Sequence, residues 1–202
     1  MTPEAVEYLR RTDPTMAKLI ARVGPCTLKP KTRRSPFEAL VSAVTHQQLN
    51  GTAAMTILKR VLALYPGKRF PKPMDILATP DAQLRAAGLS AAKAASIRDI
   101  AEKALSGIVP TAAAARKLSD AEILERLTSV RGVGPWTVEM LLIFTLGRPD
   151  VLPVGDYGVR KGFALIHGWK DLPTPKELLK EGERWKPHRS TAAWYLWRAL
   201  EL

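Results

Sequence analysis

Two helical patterns meet at Gly132-Val133-Gly134-Pro135, and this junction constrains the fold more than any other feature, because the backbone must reverse there between two helices. Ser119 and Glu122 have the S-x-x-E spacing of a capping box, and Ile123, Leu124, Leu127 and Val130 follow at helical spacing. Pro135 suits the first turn of the second helix, which is expected to run to about Leu146 before Gly147 stops it. Backbone N–H groups in a glycine-rich turn at a helix N-terminus attract an anion such as a phosphate oxygen. The residues alone also allow a plainer reading, an ordinary corner whose glycines are steric.

The rest of the chain reads as helical too. Thr12-Asp13-Pro14 opens a short helix ended by Gly24, and Ser35-Pro36-Phe37-Glu38 has the form of a second capping box, followed by an apolar stripe of Phe37, Leu40, Val41 and Val44. Further helices are expected over residues 52–64, 82–87, 91–105, 157–166, 175–185 and 191–200, with Ser90 and Gly107 as a start and a stop. The proline-punctuated stretches 29–36, 65–73 and 147–153 read as connections. No segment alternates as a strand does, so the expected fold class is all-α. Its 202 residues suffice for one large core or two small ones.

Charge narrows the partners. The chain has 31 Lys and Arg against 19 Asp and Glu, a formal charge of +12, which favours a polyanion through counterion release. An anionic membrane surface is the competing partner, but no apolar run is long enough to span a bilayer. The N-terminus, with Glu4, Glu7 and Arg10, lacks the basic-then-apolar form of a signal peptide. The expectation is a soluble cytoplasmic protein, nucleoid-associated in a bacterium, that does not engage membranes. One cysteine, Cys26, can form neither an intramolecular disulfide nor a four-cysteine iron–sulfur cluster. His46 has no second histidine or cysteine at metal spacing.

The run from Leu127 to Leu146, followed by Leu152-Pro-Val-Gly-Asp156-Tyr-Gly-Val-Arg-Lys161, resembles the helix-hairpin-helix DNA glycosylase superfamily. The likeness is nearest to its 3-methyladenine DNA glycosylase II branch, whose pattern is echoed in Arg184 to Trp197, and it extends from about Ser35 to Trp197. It implies a central bundle over residues 36–148 with the helix-hairpin-helix at about 119–147. Residues 1–35 and 149–202 would form a second helical subdomain carrying an aspartate, with an active-site cleft between the two. The implied activity is monofunctional excision of alkylated bases, such as 3-methyladenine and 7-methylguanine, flipped out of damaged double-stranded DNA by a monomer that needs no cofactor. Two alternatives stay open: a glycosylase for deaminated or oxidised bases, and a non-catalytic helix-hairpin-helix module.

By that resemblance Asp156 is the catalytic carboxylate, though an aspartate before Tyr157 also suits a helix N-cap, and one side chain can do both. Trp136 stands where backbone-cutting members of the superfamily carry a Schiff-base lysine, which points to water as the nucleophile. Trp136 and Trp197 are candidate pocket aromatics, with Met140 where the branch often has another ring; core packing is the plainer fate of tryptophan, and is expected for Trp169 and Trp194. The segment Val44 to Gly51 resembles the wedge loop, with Gln48 at the inserting position and Gln47 and Leu49 beside it; the plainer reading is a helix end. Arg131 and Lys161 are candidate phosphate contacts with Gly132 and Gly134. The main-chain oxygens of Thr128, Val130 and Val133 would hold a monovalent cation, Na+ or K+.

Overall fold

The computed structural model describes residues 2–202, and among these every regular element is helical. In chain order they are α1 (Pro3–Thr12), α2 (Pro14–Val23), α3 (Pro36–His46), α4 (Gly51–Ala63), α5 (Pro73–Ala78), α6 (Asp81–Ala86), α7 (Ala91–Leu105), α8 (Ala112–Ala115), α9 (Asp120–Thr128) and α10 (Pro135–Leu141). A π-helical turn, Leu142–Leu146, continues from α10, and α11 (Tyr157–His167), α12 (Pro175–Glu181) and α13 (Arg189–Arg198) complete the chain with 3-10 turns at Gly182–Trp185 and Ala199–Glu201.

Two compact units result: Thr32–Leu141, and Leu142–Leu202 with the segment up to Lys31. The division between Leu141 and Leu142 falls where α10 passes into the π-helical turn.

In the unit of residues 32–141, α7 is the central strut, packed against α3, α5 and α6. Its Ile97 and Ile100 are fully buried, as are Leu40 of α3, Ile76 of α5 and Leu84 of α6. Each such side chain contributes about 1.5–3 kcal/mol on burial. Ser119 and Glu122 form the expected reciprocal capping box at α9. At α3 only half of the expected box exists: Ser35 Oγ accepts the Glu38 N–H at 3.2 Å, while the Glu38 carboxylate pairs with Arg69.

The other unit contains α1, α2 and α11–α13, with Leu9, Met16, Ile20, Phe163, Trp185 and Tyr195 fully buried. Helix α1 is absent from the sequence reading, although Thr2 caps it by accepting the Ala5 N–H and proline follows at the first helical position. Gly162 brings α11 onto α13: a Cβ there would stand 2.1 Å from the Leu196 carbonyl oxygen, so the two backbones touch only because it is glycine.

Asp13, almost wholly buried, ties this unit together. Its Oδ1 accepts the Thr15 and Met16 N–H groups at 2.9 and 3.0 Å as the N-cap of α2, and its Oδ2 accepts Trp185 Nε1–H at 3.0 Å. His167 Nε2 lies 3.5 Å from Oδ2, an ion-pair distance more than a hydrogen bond. Burial pushes the His167 imidazole below its ordinary 6.5 against the opposing pull of Asp13. A base whose folded pKa is depressed binds protons better when unfolded, so its contribution is fully present above 6.5 and is lost as pH falls through the folded value. Thermal melts at pH 7.5 and 5 should therefore show a larger acid loss in the wild type than in His167→Gln; equal losses would mean that the imidazole is not responsible.

Candidate functional site

Asp156 stands at the start of α11, after the connection Gly147 to Gly155, and it caps the helix: Oδ1 accepts the Val159 N–H at 2.7 Å. The same oxygen accepts Trp197 Nε1–H at 2.9 Å. The helix N-terminus and the indole thus fix one carboxylate from two directions. The approach depends on Gly158, where a Cβ would lie 3.0 Å from Trp197 Cδ1 and 3.1 Å from Asp156 Oδ1.

Phe144 completes this group. It stacks on Trp197 with centroids 5.7 Å apart and planes 28° apart, and is partly exposed, as is the indole. The sequence reading missed both Phe144 and Gly158. Phe144 sits in the π-helical turn, where an extra residue per turn shifts the register and defeats periodicity. Gly158 did leave a signal, the four-residue spacing to Gly162, which marks a helix face that a neighbour approaches closely.

Beyond Asp156, Tyr157 is exposed and Lys161 Nζ lies 5.8 Å from its ring centroid. Arg160 and Arg189 are engaged within the unit: Arg160 Nε donates to the Pro173 carbonyl, and Arg189 grips the Asp150 carboxylate at 2.7 and 2.9 Å. Trp194 is buried as expected, but Trp169 is not a core residue: it is 39% exposed and touches Phe163 edge-on.

The unit of residues 32–141 holds the other candidates. Trp136 on α10 is 49% exposed, Met140 is half-buried, and Arg131 is exposed at the turn. At the hairpin Gly132 has φ +74° and a Cβ there would meet Ser96 Oγ at 2.6 Å, so glycine is structurally required. Gly134 has open space around it and no unusual φ. Two amides of the turn are used internally, Arg131 N–H by Asp99 Oδ2 at 2.7 Å and Val133 N–H by the Val130 carbonyl at 3.1 Å. That narrows the turn donors available to an anion to the exposed Gly132 and Gly134.

Between α3 and α4 lies the segment Gln47 to Asn50. Gln48 and Leu49 are exposed at its tip, and Gln48 has φ +56°, the one positive value outside glycine among the described residues. Gln47 Nε2 donates to the Gly132 carbonyl at 2.9 Å, joining this loop to the hairpin. Among the described residues no three His, Cys, Asp or Glu side chains gather as a metal site, and no helix is long and apolar enough to cross a membrane.

The HhH-GPD superfamily of base excision DNA repair proteins matches residues 41–188. DNA-3-methyladenine glycosylase 1 of Schizosaccharomyces pombe is 42% identical over 170 residues, 84% of this chain and 75% of the relative. Alkylbase DNA glycosidase-like protein mag2 of the same yeast is 34% identical over 199 residues, 98% and 93% of the two chains. The solved structure of the S. pombe 3-methyladenine DNA glycosylase Mag1 in complex with abasic DNA matches with a TM-score of 0.87 and 39% identity, covering 98% of this chain and 97% of that one.

Proposed function

Because the chain belongs to the HhH-GPD superfamily of base excision DNA repair proteins, we propose that it is a monofunctional glycosylase that hydrolyses the N-glycosidic bond of alkylated bases in duplex DNA. The observation that carries this reading is the arrangement around Asp156: a carboxylate held on Oδ1 by a helix N-terminus and by Trp197, which in turn stacks on Phe144. The names of the two relatives and of the solved complex point to the same substrate class.

The chemistry asked of these residues is limited. As the bond between C1′ and the base nitrogen breaks, its electron pair passes to the base and neutralises the positive charge that alkylation placed there. No general acid is needed. The deoxyribose becomes oxocarbenium-like, and Asp156 stabilises that charge while water attacks C1′ and gives up its proton to the carboxylate. The stacked rings of Trp197 and Phe144 offer a π face to an extruded, electron-poor purine.

The DNA itself is held by its backbone. Gly132 and Gly134 offer amides to a phosphate, with Arg131 and Lys161 as charge contacts and Gln48 and Leu49 as the wedge that fills the gap left by the flipped base. The hairpin carbonyls of Thr128, Val130 and Val133 suit a monovalent cation: Val130 accepts the Val133 N–H and retains a lone pair. Such a cation would brace the turn and take no part in bond breaking.

A base-release screen on duplexes carrying one defined lesion each tests the substrate class. Release of 3-methyladenine and 7-methylguanine, with 8-oxoguanine and uracil retained, is the expected outcome. The reverse pattern would reassign the protein to oxidised or deaminated bases.

A further inference from the structure

One polar stripe on α7 reaches both loops assigned to DNA contact. Lys93, Ser96, Asp99 and Lys103 follow one another at spacings of three, three and four, which places them along one side of the helix. At the far end of the stripe, Asp99 accepts the Arg131 N–H, and Lys103 pairs with Asp99 at 3.1 Å and donates to the Ser129 carbonyl. Ser96 lies directly under Gly132. At the near end, Lys93 Nζ donates to the carbonyls of Thr45 and Gln47, at 2.9 and 2.7 Å.

Those two carbonyls belong to the end of α3, where the last groups of a helix have no intrahelical partner and the helix dipole favours a cation. Lys93 is half-buried as a residue, and desolvation lowers its pKa. Immediately beyond Gln47 the chain adopts the left-handed conformation of Gln48, which a non-glycine residue holds only when its surroundings enforce it. The surroundings here are Lys93 on the Gln47 carbonyl and the Gly132 carbonyl on the Gln47 side chain.

We infer that Lys93 is a positioning residue for the wedge: its ammonium locks the carbonyls before Gln48 so that the tip stays projected. The α7 stripe and Gln47 then make tip and hairpin one rigid piece. The inference rests on reading Gln48 and Leu49 as the wedge. A loose tip would still let the protein bind the backbone, but would leave the flipped state of the base without its filler.

The test is single-turnover release of 7-methylguanine from a fully paired duplex and from the same duplex with the lesion in a one-nucleotide bulge. Lys93→Met keeps the aliphatic stem and removes the ammonium; Gln47→Met, at a half-buried loop position, removes only the tie to Gly132; Gln48→Ala removes the tip itself. Losing hydrogen bonds from a charged donor should slow paired-duplex release by Lys93→Met about tenfold. An already unstacked base needs little flipping, so release from the bulge should change by less than about twofold. Gln47→Met should show the same selectivity, with a smaller loss. Equal losses on both substrates for Lys93→Met would overturn the inference, since a merely damaged fold acts on both. So would unchanged rates in Lys93→Met and Gln47→Met beside a duplex-selective loss in Gln48→Ala, an outcome that keeps the wedge. Unchanged rates in all three variants would remove the wedge reading and the inference with it.

Discussion

Asp156→Asn is expected to bind DNA as the wild type does and to lose base excision by at least about a hundredfold, the scale on which a single transition-state electrostatic contact acts. The substitution suits the site because asparagine retains an oxygen that can accept both the Val159 N–H and Trp197 Nε1–H, so the α11 cap and the indole stay in place while the negative charge is lost. Binding to an abasic duplex and release of 3-methyladenine under single turnover separate the two quantities. A folded Asp156→Asn protein that excises at the wild-type rate would leave the carboxylate as a helix cap and nothing more.

Trp197 is expected to show the second large effect, in two parts. Trp197→Phe keeps a ring facing Phe144 but removes the N–H given to Asp156. A hydrogen bond to a charged group contributes about 1.5–3 kcal/mol, so excision of every base should slow roughly ten- to hundredfold. Trp197→Leu also removes the ring, and a desolvated cation–π contact of about 2 kcal/mol predicts a further, roughly thirtyfold loss confined to cationic bases. Rates of 3-methyladenine and hypoxanthine release, each divided by its uncatalysed rate, isolate this from bond lability. Equal losses for the two bases on going from phenylalanine to leucine would exclude cation–π stacking, and a wild-type rate in Trp197→Phe would exclude the hydrogen bond.

Local rules made most of the helices legible. Ser90, Ser119 and Thr174 each accept an N–H at the start of a helix, and Gly24, Gly107 and Gly168 stand at helix ends with positive φ. What such rules do not reach is long-range. The Asp156–Trp197 bond joins residues 41 apart, and nothing in either local sequence announces it. The resemblance singled out both residues; their hydrogen bond, and the glycine that makes room for it, needed the fold. Phe144 was hidden by a change of helical period, and the Lys93 clamp by a lysine that reads on sequence as one more solvated charge. Trp169 erred in the other direction, since its apolar ring says nothing of where the chain ends α11.

The central claim, hydrolytic excision without strand cleavage, is tested most directly on an end-labelled duplex containing one 3-methyladenine, with protein in excess and borohydride in a parallel sample. Free 3-methyladenine should appear while the labelled strand stays intact until alkali is added, and no protein–DNA adduct should be trapped, since Trp136 offers no amine. Strand breaks at neutral pH, or a borohydride-trapped adduct formed at the rate of base release, would show an amine nucleophile and contradict the account, and an intact base after prolonged incubation would deny the activity altogether.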